Sequence, residues 1–156
     1  MNRYLNLAGT ILISELAGGI GAIFTTSKIP TWYAGLNQPS WNPPAAVFGP
    51  VWTTLYALMG VSLWLVWETK PSANRIMALR LFWWQLAVNV LWSIVFFGLE
   101  NPGLAVIVIL VLLGLILAYI LRAIRVNRWA AYLMLPYVAW VGFAAALNAS
   151  VWLLNR

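Results

Sequence analysis

The chain has 156 residues, enough for one domain, but only 8% of them are charged and 63% are hydrophobic, which excludes an ordinary soluble protein. The mean hydropathy of +0.86 indicates an integral membrane protein. The chain has neither Cys nor His, so it cannot form disulfides and lacks the residues that most often bind zinc, ligate haem iron or act as general bases. Membrane topology explains the net charge of +6 better than nucleic-acid binding does, and no metal site is predicted.

Five apolar stretches are long enough, at about 20 residues each, to cross a bilayer as helices. The first could be mistaken for a secretory signal, but Glu15 interrupts it and it is long for a signal core, so a retained helix is predicted. None shows the alternation of β-barrel strands. We therefore predict an all-α integral membrane protein, a bundle of five transmembrane helices in a single domain 1–156, with helices at about 5–24, 47–67, 76–97, 104–123 and 129–153.

Basic residues near the predicted helix ends are concentrated on one side of the membrane. Five spans place the two termini on opposite sides, so the N-terminus shares its side with the second and fourth connectors. The positive-inside rule then predicts a cytoplasmic N-terminus, with the loop 25–46 and the C-terminus on the other side. The cytoplasmic side would hold Arg3, Lys70, Arg75, Arg80, Arg122, Arg125 and Arg128, and the opposite side Lys28 and Arg156.

The loop 25–46 between the first two spans is rich in aromatic residues and proline. Proline restricts the backbone, so the loop is predicted to be stiff, and its aromatic side chains would hold it against the helix ends. Two interpretations fit this composition: a lid over a ligand site, or an interfacial belt, which also collects Trp and Tyr. The residues assigned to the lid are Trp32, Tyr33, Pro43 and Pro44.

Polar and aromatic side chains recur at three- and four-residue steps within the spans, which puts each set on one helix face. Polar groups in a membrane usually face protein or water, so these faces are predicted to line a cavity for a flat, mostly apolar ligand. For Gln85, Asn89 and Asn148 the alternative is hydrogen bonding between helices. The sets are Glu15 among small residues in the first span, Trp52, Tyr56 and Gly60 in the second, Gln85, Asn89 and Trp92 in the third, and Tyr137, Trp140, Ala144, Leu147 and Asn148 in the fifth.

Conventional catalytic groups are scarce. The acidic side chains are Glu15, Glu68 and Glu100, and the last two lie at opposite membrane edges, which argues against paired-carboxylate chemistry. Glu15 lies beside the run Ala17-Gly18-Gly19-Ile20-Gly21-Ala22, whose small residues permit close helix contact. Whether the chain is an enzyme stays open, since any chemistry would have to use Trp and Tyr side chains or the reactivity of a bound ligand.

Motifs along nearly the whole chain resemble the tryptophan-rich sensory protein family, which includes the mitochondrial translocator protein or peripheral benzodiazepine receptor. Four motifs occur in the family's order and spacing. The first loop carries Trp32-Tyr33, Leu36, Pro39, Trp41 and Pro43-Pro44. The helices carry Gly49-Pro50-Val51-Trp52 with Thr54-Leu55-Tyr56, then Gln85-Leu86-Ala87 with Asn89, Trp92 and Phe96-Phe97-Gly98, then Pro136-Tyr137, Trp140 and Leu147-Asn148.

The resemblance implies a five-helix bundle with a pocket beneath the first loop. It implies porphyrin or haem as a ligand rather than an obligatory cofactor, membrane lipid as surroundings, a homodimer, and, for a bacterial-type member, the bacterial cell membrane. No nucleic-acid partner is implied. The family's pocket residues match Trp41, Trp52, Asn89, Trp92, Trp140, Ala144, Leu147 and Asn148, and its photochemical tryptophans match Trp52 and Trp140. Tyr56 and Tyr137 join the predicted site from their helix faces.

Three functions stay open at this point. The leading one is binding of tetrapyrroles for sensing, transport or homeostasis; the alternatives are a light-dependent enzyme that degrades protoporphyrin IX and a lipid or sterol translocator, with benzodiazepine-type ligands also implied. One departure weakens the sterol alternative: Ala149 follows Asn148 where animal members have Tyr, although such patterns are weak signals. Lys28, in the loop, is the predicted contact for anionic ligand propionates.

Overall fold

Five helical segments of the computed structural model, which describes residues 2–156, are long and apolar enough to cross a membrane. This confirms the predicted all-α class and the five-helix membrane architecture. The third segment ends in a π-helical turn, Ile94–Gly98, and a short 3₁₀ turn, Tyr33–Gly35, lies in the first loop. The helices are α1 Arg3–Thr25, α2 Ala45–Trp67, α3 Ala73–Ser93, α4 Pro102–Ala123, α5 Arg128–Tyr132 and α6 Leu135–Leu154.

Capping side chains in the connectors explain where several of these helices begin. The Ser72 hydroxyl accepts from the Arg75 amide at 3.1 Å, and the Asn101 side chain accepts from the Leu104 amide at 3.0 Å. Each bond satisfies a backbone N–H that has no partner within its own helix. The connectors are therefore sharp turns, and neighbouring spans run antiparallel.

The fifth span is interrupted, where the sequence predicted one continuous helix over 129–153. α5 ends at Tyr132, and α6 begins at Leu135 after a turn. Pro136 accounts for the break, because it has no N–H to donate and its ring would collide with the carbonyl four residues earlier. Within the first turn of α6 the missing N–H costs nothing, and this is where Pro136 lies.

Helix packing leaves a gap on one side of the bundle. α1 packs closely on α2 at Gly60, where a Cβ atom would meet the α1 backbone at Ile11. α3 and α4 pack along their lengths, and α4 also packs on α6, whereas α2 and α6 make little direct contact in the described residues 2–156. The main core fills the end of the bundle nearest α5, around Met59 and Tyr119. The gap lies between this core and the first loop.

Candidate ligand-binding cavity

The gap is a cavity of about 370 Å³ enclosed by α1, α2, α3 and α6 beneath the first loop. Its volume lies within the usual range of small-molecule sites, and its walls are mainly aromatic and aliphatic. It brings together residues that the sequence places far apart. The predicted ligand-binding residues that line it are Trp52, Tyr56, Asn89, Trp92, Trp140, Ala144, Leu147 and Asn148.

A chain of buried hydrogen bonds crosses three helices at the deep end of the cavity. The Tyr56 hydroxyl donates to Asn89 Oδ1 at 2.5 Å, Asn89 Nδ2 donates to the Tyr137 hydroxyl at 2.8 Å, and that hydroxyl donates to Gln85 Oε1 at 3.0 Å. Both interpretations of Asn89 therefore hold, since it forms hydrogen bonds between helices and also lines the cavity. Gln85 and Tyr137 lie behind the wall, with Tyr137 fully buried, so the predicted contact of Tyr137 with the ligand is indirect.

Asn148 ties the cavity wall to two other helices. Its Oδ1 accepts from the Trp92 indole at 3.0 Å, and its Nδ2 donates to the Pro102 carbonyl at 2.8 Å. The first bond joins α6 to α3, and the second joins α6 to the start of α4. The first bond occupies the Trp92 N–H and the second holds Asn148 in place, so this N–H is not available to a ligand.

Paired aromatic rings form most of the wall. Trp92 stacks on Phe96 with ring centroids 5.4 Å apart, and Trp52 lies 5.7 Å from Tyr56. Trp140 lies 6.0 Å from Phe48 on α2, so an edge contact between rings bridges the gap between α2 and α6. Such pairs favour a fixed arrangement of rings, which preforms a slot for a flat apolar molecule.

The first loop covers the cavity through Tyr33, which is buried and lines it. Three hydrogen bonds fix this part of the loop: Tyr33 donates to Asn42 Oδ1 at 3.1 Å, Asn42 Nδ2 donates to Gln38 Oε1 at 2.6 Å, and Gln38 Nε2 donates to the Tyr33 carbonyl at 2.7 Å. Burial raises the pKa of the Tyr33 hydroxyl, and the bond to Asn42 opposes this only in part. Tyr33 therefore remains a neutral donor that holds the loop over the cavity.

Other predicted loop residues support the lid without reaching the cavity wall. Trp32 packs edge-on against Phe96 at 5.6 Å, just outside the residues that line the space. Pro43 and Pro44 immediately precede α2 and set the path of the chain into it. Trp41 was predicted to lie in the pocket, but it is 46% exposed on the outside and is not among the residues that line the cavity.

The predicted propionate contact, Lys28, is already paired. Its Nζ lies 2.5 Å from Glu100 Oε1, and it does not line the cavity. Glu68, at the other end of the bundle, accepts from Asn6 Nδ2 at 3.0 Å and faces Arg3. An anionic ligand group at the loop would therefore have to compete with Glu100 for Lys28.

Of the wall formed by α1, only Glu15 was predicted from the sequence to face the cavity. Gly18, Gly19, Gly21 and Ala22 line the cavity together with Glu15. The run of small residues is visible in the sequence, but it was interpreted as a site of close contact between helices. That interpretation holds in part, since a Cβ at position 18 would collide with the Tyr56 ring. The remaining wall residues that sequence reasoning missed are Thr25, Thr26, Ile29, Phe48, Gly49, Thr53, Ser93, Phe96 and Phe97.

These features define a class of protein: a small integral membrane protein whose helices enclose an aromatic cavity beneath a structured loop. The sequence profile described as the TspO/MBR family matches residues 10–153, and the chain belongs to this family. A tryptophan-rich protein TspO of Archaeoglobus fulgidus is 41% identical over 97% of both chains. The human translocator protein is 38% identical over 92% of this chain and 86% of its own. A tryptophan-rich sensory protein of Cereibacter sphaeroides is 35% identical over 97% and 95%.

Proposed function

We propose that this protein binds porphyrin-type tetrapyrroles in the cavity, in the service of sensing, transport or tetrapyrrole homeostasis. The observation that carries the proposal is that the indoles of Trp52, Trp92 and Trp140 all line one space of about 370 Å³. A flat macrocycle gains apolar burial and ring contacts there. Two of the relatives are named a translocator protein and a sensory protein, and both names agree with a ligand-binding role.

The ligand's carboxylates would lie at the loop end of the cavity. Anionic groups do not enter an apolar interior readily, so propionates are expected at the water boundary. Thr25 and Thr26 line this end of the cavity, but their hydroxyls donate to carbonyls of their own helix. Lys28 lies two residues after Thr26, in the loop at this end. We expect it to exchange Glu100 for a propionate when the ligand binds.

Filling the cavity tests the proposal. Protoporphyrin IX should quench tryptophan fluorescence of the purified protein saturably, because the macrocycle accepts excitation from the indoles around it. Ala144 lines the cavity, so Ala144→Phe should weaken this quenching at least about tenfold, as expected when a wall atom occupies the ligand's space. Ala146 is exposed on the same helix, and Ala146→Phe is the matched control that should stay within about twofold. Equal affinity in the two variants would place binding outside the cavity.

A light-dependent enzyme that degrades protoporphyrin IX is the second candidate, because both tryptophans assigned to that chemistry, Trp52 and Trp140, line the cavity. Illumination should then convert bound porphyrin into a product with a new absorbance spectrum. The double variant Trp52→Phe/Trp140→Phe should still bind porphyrin but convert it more slowly. Conversion at the wild-type rate in that variant would rule out the role of these two indoles, while a stable bound spectrum in light would leave binding as the function.

We also propose that the protein is a homodimer in the bacterial cell membrane with a cytoplasmic N-terminus. The uneven distribution of basic residues supports this orientation, since the end of the bundle that carries Arg3 also carries Arg122, Arg125 and Arg128. The cavity would then open toward the non-cytoplasmic side. Labelling single cysteines introduced at the loop and at residue 127 in intact cells tests the orientation, because only the loop cysteine should react with a membrane-impermeant reagent.

A further inference from the structure

Glu15 lies in the membrane-spanning part of the protein and lines the cavity. It is near the middle of α1, which runs from Arg3 to Thr25, and a carboxylate at this depth is costly unless it has a use or a partner. On each of the four enclosing helices, the cavity-lining residue farthest from the loop carries a polar group. These residues are Glu15, Tyr56, Asn89 and Trp140, and they form the floor of the cavity.

The Glu15 carboxylate has no partner among the described residues 2–156, although the other two glutamates do. Glu68 bonds to Asn6, and Glu100 pairs with Lys28. The arginines and lysines of residues 2–156 lie in the connectors or near the helix ends, except Arg80, which is exposed within α3. None of them pairs with Glu15, so a molecule in the cavity that Glu15 lines would find its carboxylate free.

Two neighbouring polar groups of the floor, those of Tyr56 and Asn89, are committed elsewhere. Tyr56 lies against α1 one turn from Glu15, where its ring occupies the space that a Cβ at position 18 would take. Its hydroxyl donates to Asn89, so its single hydrogen is not available to Glu15. Asn89 in turn donates to Tyr137. Glu15 thus presents an unused acceptor to the cavity, beside glycines that leave it unshielded.

We propose that Glu15 accepts a hydrogen bond from a protonated or N–H nitrogen of the ligand, so that the cavity selects flat aromatic molecules carrying such a nitrogen over neutral molecules of the same shape. This inference rests on the proposed ligand-binding function of the same cavity. It assigns the two ends of the cavity opposite chemistry: carboxylates of the ligand lie at the loop, and its nitrogen lies at the floor. The two pyrrole N–H groups of a metal-free tetrapyrrole belong to this chemical class.

Two pyrene probes that differ only by one amino group test the assignment. Energy transfer from tryptophan reports binding of 1-pyrenemethylamine, a cation at neutral pH, and of 1-methylpyrene, its neutral counterpart, to the full-length protein in one neutral detergent. A charge-assisted hydrogen bond should make the amine bind about tenfold more tightly. Glu15→Gln should abolish this preference while leaving 1-methylpyrene affinity within about twofold. Glu68→Gln makes the same chemical change outside the cavity and should keep the wild-type preference.

The possible results separate this inference from the proposed function. Retention of the wild-type preference by Glu15→Gln, or its loss to the same extent in Glu68→Gln, would overturn the role of Glu15. Equal binding of both probes by the wild type would overturn it too, while saturable protoporphyrin quenching in the same sample would leave the proposed function standing. If Glu15→Gln does not fold, Glu15→Asp keeps the charge on a shorter side chain: a preserved preference for the amine supports the assignment, and its complete loss contradicts it.

Discussion

Removing one buried hydroxyl tests whether the hydrogen-bond chain behind the cavity stabilises the bundle. Tyr137→Phe would leave Asn89 Nδ2 without an acceptor and Gln85 Oε1 without a donor, because the Tyr137 hydroxyl serves both at 2.8 and 3.0 Å. Hydrogen bonds between membrane helices contribute about 0.6 kcal/mol on average and at most about 1.7 kcal/mol. Two lost bonds should therefore lower the free energy of unfolding by about 1–3 kcal/mol. Tyr56→Phe removes only the bond to Asn89 and should cost about half as much.

Unfolding by sodium dodecyl sulfate in mixed micelles, followed by circular dichroism, measures these differences. Tyr132→Phe is the matched control, because that tyrosine is 46% exposed and the change should stay within about 0.5 kcal/mol. Protoporphyrin affinity should also fall in Tyr137→Phe, although Tyr137 does not touch the cavity, because Asn89 loses one of the bonds that orient it. If Tyr137→Phe matched Tyr132→Phe in both stability and affinity, the chain would contribute nothing and Asn89 would be positioned by packing alone.

Three further changes have defined outcomes. Gly18→Ala should lower the free energy of unfolding by about 1–3 kcal/mol, because its Cβ would collide with the Tyr56 ring. The Cβ of Gly19→Ala would meet no atom within 4 Å, so this variant should keep the wild-type free energy of unfolding in the same denaturation assay. Glu100→Gln should strengthen protoporphyrin binding about twofold at low salt, because it releases Lys28, and Lys28→Gln should weaken binding a few-fold. Both effects should fade as the salt concentration rises. The same changes in affinity for an uncharged ligand would indicate an effect on loop structure. Haem should bind no more tightly than metal-free protoporphyrin, since the chain lacks His and Cys as axial ligands, and a low-spin six-coordinate haem spectrum would contradict this.

Hydropathy alone predicts the five spans, because bilayer thickness fixes how long an apolar stretch must be. It does not predict the break before Pro136, where the sequence on both sides stays apolar. Proline within a transmembrane helix can be tolerated when neighbouring groups satisfy the freed carbonyls. Whether the helix kinks, breaks or continues there therefore depends on packing that the sequence does not display.

Helix spacing predicts which residues share a face, but it does not say where a cavity ends and the core begins. Tyr137 and Trp140 are three residues apart, so their side chains point only about 60° apart around the helix axis. Trp140 lines the cavity, whereas Tyr137 is fully buried behind it. A difference of this size is set by the position of α3, where the polar groups of Asn89 and Gln85 draw the Tyr137 hydroxyl inward. Only the assembled bundle determines that position.

The small residues of α1 show a second kind of ambiguity. A glycine in a membrane helix allows either close contact with another helix or empty space beside it, because in both cases a side chain is missing. Gly60 illustrates the first outcome, since α1 backbone atoms occupy the position of its missing side chain. Gly19 illustrates the second, since it lines the cavity and no atom lies within 4 Å of where its Cβ would be. The two cannot be distinguished from the residue type alone.

The polar groups of the cavity wall suggest how a mostly aromatic site can still be selective. Tyr56, Asn89 and Asn148 direct their hydrogen bonds to one another or to the protein behind them, so they shape the cavity but have little hydrogen-bonding capacity left for a ligand. The indoles then supply affinity through contact area, which discriminates poorly among flat apolar molecules of similar size. Selectivity therefore depends on the few polar groups that remain unpaired. Within residues 2–156 the carboxylate of Glu15 is one such group that faces the cavity. The floor holds a second unpaired group, the indole N–H of Trp140, which is buried without a partner and which a small rotation of the ring would make available.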